Sequence, residues 1–161
     1  MARASKIIIL GIGNILMRDD GFGIHIVNEL LRRYKFPPHV TVIDGGTVSI
    51  NLLPLIEDAD HLIVIDVINS NNPPGTISVF KPDRLPEDIV YKRSLHQVGI
   101  NEIFGIASIL EKFPDTTIIG IQPSDINSCI TGLTNELYRS VDEVVDIILK
   151  ELGKLGVRLK I

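Results

Sequence analysis

Three short runs rich in apolar residues constrain the fold of this chain more than any other feature. They occupy residues 6–10, 61–66 and 116–121. Runs of this length, bounded by glycine or polar residues, are typical of strands that are buried on both faces of a parallel sheet. Segments with helical periodicity lie between them. The sequence therefore predicts an α/β fold, with a parallel or mostly parallel sheet covered by helices on both faces.

The remaining elements follow from the same periodicities. Residues 76–80 alternate between apolar and polar side chains, which is typical of a half-exposed edge strand, and an antiparallel direction is allowed there. Residues 81–95 are polar and carry two prolines, which indicates a long surface excursion. Thr134 is expected to be the N-cap of the last helix. The other predicted elements are a strand over 40–43 and helices over 21–34, 49–56, 99–111 and 134–152.

Composition limits what the chain can do. With 161 residues, it is long enough for one core and too short for two ordinary domains, so we expect a single domain over 1–161. A formal net charge of −4 disfavours a nucleic-acid partner. The apolar run before Gly11 is too short for a signal peptide, and no run approaches the roughly 20 residues that span a bilayer. We expect a cytoplasmic protein without a membrane partner.

Polar residues that could carry chemistry follow the predicted strands. Asp19 and Asp20 come after the first strand, Asp44 after the second and Asp66 at the end of the third, while His96 precedes the predicted helix 99–111. In open α/β sheets, ligands bind beyond the carboxyl ends of the strands. One acid of the Asp19–Asp20 pair would cap the first helix. The other could join Asp66 and His96, supplying two oxygens and one nitrogen to a divalent metal.

Other interpretations of these residues stay open. Gly11 and Gly13 begin a pattern similar to a dinucleotide-binding turn, but Leu16 stands where the third glycine belongs, and the acidic pair opposes a pyrophosphate. A nucleotide-dependent oxidoreductase is thus an alternative. The two glycines are also explained by a tight turn that requires unusual dihedral angles. Good turn chemistry accounts equally for Asp44.

The side chains most often found as nucleophiles or ligands have ordinary explanations as well. His25, His39 and His61 are expected to be surface or packing residues. Cys129, the single cysteine, has no second thiol to pair with and no neighbouring histidine in sequence, so we expect a buried, inert thiol.

Five short motifs occur in order along nearly the whole chain. They are GIGNIL at 11–16 running into DDGFG at 19–23, DGGT at 44–47, DHLIVID at 60–66, HQVG at 96–99 and GLT at 132–134. Together they resemble the hydrogenase maturation protease family, endopeptidases that trim the C-terminus of nickel-iron hydrogenase large subunits. The resemblance implies a three-layer αβα domain with a twisted, mostly parallel five-stranded sheet.

The resemblance also implies a site and a mechanism. The family's metal-contacting residues fall on Asp20, Asp66 and His96, and the family allows Asp or Glu at the first position. Its substrate is a precursor that already carries nickel, so no tightly bound metal is expected in the isolated chain, which we expect to be a monomer. Cleavage would be a metal-assisted attack by water, with a carboxylate among Asp20, Asp44 and Asp66 orienting or deprotonating it. A nickel-dependent chaperone that holds the precursor without cutting it is a further alternative.

Overall fold

The computed structural model describes residues 3–46, 52–82 and 113–161 of the chain. Five strands in these segments form one sheet, and helices pack on it. In chain order the elements are β1 (Ile7–Gly11), a 3₁₀ turn (Arg18–Gly21), α1 (Phe22–Arg33), β2 (Val40–Asp44), α2 (Leu53–Asp58), β3 (His61–Val67), β4 (Ile77–Phe80), β5 (Asp115–Ile121), α3 (Asn135–Tyr138) and α4 (Val141–Lys154).

The sheet has the strand order β2-β1-β3-β5-β4. Strands β2, β1, β3 and β5 run parallel, whereas β4 runs antiparallel to β5 at the edge. The three apolar runs form the three central strands, because a strand covered on both faces can be apolar throughout. The alternating segment forms the edge strand. The predicted α/β class and the mostly parallel five-stranded sheet are both confirmed.

The core lies in two layers, one on each face of the sheet. On the first face, Ile9 and Ile65 pack with buried residues of α1 and α4. On the second face, Leu10 and Val64 pack with Ile56 of α2. Successive residues of each central strand therefore point into different layers. The predicted helix over 99–111, most of the surface excursion and the first residues of the helix predicted over 49–56 lie outside the described residues.

The C-terminal helix departs from the prediction. Instead of one helix over 134–152, α3 ends at Tyr138 and α4 begins at Val141. The hydroxyl oxygen of Ser140 lies 3.3 Å from the carbonyl oxygen of Glu136 and 3.4 Å from that of Gly75, so its one hydrogen is shared between two acceptors. A serine that bonds back to the preceding turn bends a helix. Helical periodicity persists through the break, which is why the sequence pattern did not reveal it.

Candidate active site

The connections after β1 and β3 leave the sheet in opposite directions. The chain passes from β1 to β2 on one side, and from β3 to β4 and β5 on the other. Such a switch in strand order opens a crevice beyond the carboxyl ends of the two strands. Asp20 follows β1, and Asp66 lies near the carboxyl end of β3. Both candidate acids are therefore at this switch point.

Asp66 is the next-to-last residue of β3 and is only 4% exposed. Its Oδ1 accepts a hydrogen bond of 2.8 Å from the N–H of Val67. Burial raises the pKa of the Asp66 carboxyl well above its ordinary value, and the nearby charge of Asp20 raises it further, while the Val67 bond opposes both. The structure thus holds a carboxyl group that favours a proton, or a cation in place of the proton.

Asp20 lies on the 3₁₀ turn and is 7% exposed. Its Oδ2 accepts a hydrogen bond of 3.2 Å from the N–H of Asn14. Gly13 has a φ of +142°, and a Cβ there would overlap the carbonyl oxygen of Asp20. Glycine at position 13 therefore allows the loop after β1 to fold directly against the turn that carries the acid.

The two glycines of the first motif have different roles. The prediction of an unusual dihedral angle is confirmed for Gly13. Gly11, by contrast, is a regular residue of β1, and a Cβ there would overlap the carbonyl oxygen of Gly23 at the start of α1. A Cβ at Gly23 would in turn overlap the carbonyl of Ile65. Small residues thus bring the start of α1 against the ends of both β1 and β3.

Neither acid of the Asp19–Asp20 pair caps the first helix, so this prediction was wrong. The N-cap of α1 is Gly21, and within the described residues no side chain bonds to that cap. The Asp19 carboxylate turns instead into the protein, where it is completely buried. It accepts hydrogen bonds from the N–H groups of Ser124, Asp125 and Thr134 at 2.8 to 2.9 Å, and from the Thr134 hydroxyl.

Through these contacts, Asp19 and Thr134 support the turn that carries Asp20, and the sequence analysis did not predict this contact. The one sequence feature that could have indicated it is that Asp19 lies in the motif DDGFG and Thr134 in the motif GLT. Thr134 does occupy the predicted N-cap position of α3. Its side chain, however, bonds to Asp19 rather than to the helix.

Asp44 ends β2 and is exposed. Its Oδ1 accepts a hydrogen bond of 2.9 Å from the N–H of Gly46, so it supports the turn that its sequence context indicates. Asp44 pairs in register with Gly11, two strands away from β3. At the usual spacing of strands, this separates the backbones of Asp44 and Asp66 by roughly 10 Å. Asp20 is close enough to Asp66 for its charge to raise the pKa of Asp66, and Asp44 is not among the groups that shift that pKa.

His96 lies outside the described residues. In the segments that the structure does describe, no group of three or more His, Cys, Asp and Glu side chains could hold a metal ion. Asp20 and Asp66 as oxygen ligands stay a prediction. A nitrogen ligand from His96 stays a prediction.

The remaining histidines and the cysteine lie elsewhere. His25 is half-buried on α1, and burial lowers the pKa of its imidazole, while Glu29 opposes that effect. His61 lies 3.6 Å from Asp115 at the amino end of the sheet. Cys129 is exposed, which corrects the prediction of a buried thiol, and its Sγ lies 3.7 Å from the sulfur of Met17. No helix in the described segments is long and apolar enough to cross a membrane.

Known proteins resemble this chain in sequence over most of its length. A family model described as hydrogenase maturation protease matches residues 24–151. The hydrogenase expression/formation protein HupD of Bradyrhizobium diazoefficiens is 37% identical over 155 residues, which cover 95% of this chain and 81% of that protein. The hydrogenase 2 maturation protease of Escherichia coli is 32% identical over 94% of this chain and 93% of its own length.

Solved structures agree. The hydrogenase maturating endopeptidase HybD from E. coli superposes with a TM-score of 0.85 at 33% identity, covering 96% of both chains. The chain belongs to the hydrogenase maturation protease family. It is accordingly an endopeptidase, a hydrolase of peptide bonds, as the resemblance of its motifs predicted.

Proposed function

We propose that this endopeptidase removes the C-terminal extension of a nickel-iron hydrogenase large-subunit precursor that already carries nickel. The observation that carries the proposal is the pair of buried acids, Asp20 and Asp66, at the switch point of a maturation-protease fold. The precursor is the partner, and its nickel is part of the substrate.

The two acids favour a substrate that brings a cation. Burial and mutual repulsion destabilise two negative charges at this point, as the raised pKa of Asp66 indicates. A precursor that places nickel between them relieves that repulsion, whereas a precursor without nickel does not. Carboxylate oxygens and the imidazole of His96 are suitable ligands for such a borderline ion. The free energy of this contact makes cleavage conditional on nickel insertion.

Hydrolysis then requires a water and a group that accepts its proton. In our proposal the water oxygen attacks the scissile carbonyl carbon while a carboxylate takes up the proton. The peptide C–N bond breaks as the amine leaves with a proton returned from that carboxyl group. A carboxylate among Asp20, Asp44 and Asp66 takes up and returns this proton. Asp20, Asp66 and His96 orient the substrate's metal beside the scissile bond, and Asp44 supports the neighbouring turn.

The test is a processing assay with purified chain and purified precursor, prepared with and without nickel. Loss of mass from the precursor C-terminus distinguishes cutting from holding. We expect the wild type to cut only the nickel-loaded form, and Asp20→Ala and His96→Ala to lose processing while keeping their circular dichroism spectra. Asp58→Ala is the matched control, because Asp58 is an exposed acid on α2 that pairs with Lys6 at the amino end of the sheet. Full activity of either site variant would refute the proposal.

A further inference from the structure

Asp19 joins two distant parts of the chain at one buried point. Its Oδ1 accepts from the Thr134 N–H at 2.8 Å, and its Oδ2 accepts from the N–H groups of Ser124 and Asp125, both at 2.9 Å. The Thr134 hydroxyl lies 3.0 and 2.9 Å from the two oxygens. These donors are more than 100 positions away in sequence. All of them come from the segment between β5 and α3.

The backbone reinforces this connection. The N–H of Asp19 donates to the carbonyl of Asp125 at 3.0 Å, and the N–H of Arg18 donates to that of Ile130, also at 3.0 Å. The first half of the 3₁₀ turn is thus fastened to the segment after β5 by its main chain as well as by the Asp19 side chain. Because β5 is the neighbour of β3, these hydrogen bonds join the 3₁₀ turn to the segment that follows the strand next to the one carrying Asp66.

The direction of Asp19 determines the direction of the next side chain. Adjacent residues on a 3₁₀ turn point about 120° apart, since the turn has three residues per revolution. With the Asp19 carboxylate fixed in the interior, the Asp20 carboxylate is directed to the switch point, where its charge reaches Asp66. Gly13 closes against the Asp20 carbonyl from the other side. Asp20 is therefore held between the loop after β1 and the segment after β5.

Burying the Asp19 carboxylate is energetically unfavourable, which indicates that its position is important. A buried carboxylate loses its hydration, and here the donors that replace the water are neutral N–H and O–H groups. A shorter neutral residue would avoid that loss and leave the turn free to shift. We propose that Asp19 is a positioning residue, which sets the separation of Asp20 and Asp66 for the nickel of the precursor. This inference rests on the proposed function.

The experiment compares the affinity of each variant for nickel-loaded and nickel-free precursor, by fluorescence anisotropy of labelled precursor. The dissociation constant for nickel-free precursor divided by that for nickel-loaded precursor measures nickel recognition, and a general loss of folded protein does not change this ratio. Asp19→Asn presents an amide NH₂ to N–H donors, so we expect its ratio to fall by roughly tenfold, as small displacements of a positioned group do. Thr134→Val removes only the hydroxyl donor and should shift the ratio in the same direction, whereas Thr134→Ser keeps it and should restore the wild-type ratio.

Thr116→Val is the matched control. Thr116 is also a buried threonine, and its hydroxyl donates to the carbonyl of Pro114 at 2.8 Å at the amino end of β5, remote from the switch point. Its loss should lower thermal stability and leave the ratio unchanged. If Asp19→Asn does not fold, the comparison of this ratio between Thr134→Val and Thr134→Ser tests the inference instead.

The outcomes separate the two proposals. If the wild type discriminates by nickel, and folded Asp19→Asn or Thr134→Val does so equally well, Asp19 has no positioning role and this inference is overturned. If the wild type binds both forms of the precursor equally, the proposed function fails, and this inference fails with it.

Discussion

Asp20, on the turn after β1, lies close enough to Asp66 of β3 for the charges of the two carboxyl groups to interact. Burial is the larger cause that raises the pKa of Asp66, and the charge of Asp20 adds to it. The native protein therefore binds a proton at Asp66 more tightly than the unfolded chain does. Stability that is present at low pH is lost as the pH rises from the ordinary value of 3.8 through the raised pKa.

Asp66→Asn should separate stability from activity. The amide stays neutral at every pH and its oxygen can still accept the Val67 N–H, so the variant avoids the cost of the buried charge. We expect its free energy of unfolding at pH 7 to exceed that of the wild type by about 0.5–2 kcal/mol, while processing of nickel-loaded precursor is lost. Urea denaturation beside the processing assay measures both. A variant less stable than the wild type at pH 7 would contradict the assignment.

Gly13→Ala should damage the site through contact with Asp20. Gly13 and Gly156 both have positive φ, but a Cβ at Gly13 would overlap the Asp20 carbonyl, whereas nothing lies within 4 Å of a Cβ at Gly156 among the described residues. We expect Gly156→Ala to cost about 1 kcal/mol and to keep full activity. Gly13→Ala should cost more and lose processing. Equal losses of stability and unchanged processing in both variants would show that the close contact has no role.

His25 predicts a dependence of stability on pH. Burial lowers the pKa of its imidazole below 6.5, against the opposing charge of Glu29, so the unfolded chain takes up a proton at higher pH than the native protein does. Stability should fall as the pH decreases through 6.5 towards the lowered pKa. His25→Gln removes this titration, and its free energy of unfolding should change less between pH 7 and 5. Parallel stability profiles for the two proteins would contradict the prediction.

Chelation should distinguish a metal carried by the precursor from one carried by the enzyme. If nickel arrives with the substrate, enzyme treated with EDTA and then freed of chelator by gel filtration should process nickel-loaded precursor at the untreated rate. Metal analysis of the dialysed enzyme should give well under one equivalent per chain. Loss of activity that returns only when metal is added back to the enzyme would place the ion in the protease itself.

Sequence alone determined the class of fold, because apolar periodicity is a local property. The runs that became β1, β3 and β5 are rich in apolar residues over lengths typical of a doubly covered strand, and the alternation at 76–80 marked the edge strand β4. The strand order, which places Asp20 and Asp66 at one switch point, came only from the structure. The acids were identifiable as candidates from where they follow the strands, and the family from the order of its motifs.

The tertiary structure decided where the two neighbouring acids, Asp19 and Asp20, lie. Asp19 and Asp20 are chemically identical neighbours, and spacing alone left open which of them faces the site, although the resemblance of the motifs indicated Asp20. The donors that bury Asp19 come from Ser124, Asp125 and Thr134, which only folding brings within hydrogen-bond distance. Ser140, at the break before α4, likewise contacts the carbonyl oxygen of distant Gly75. Such contacts join residues far apart along the chain, and local periodicity carries no information about them.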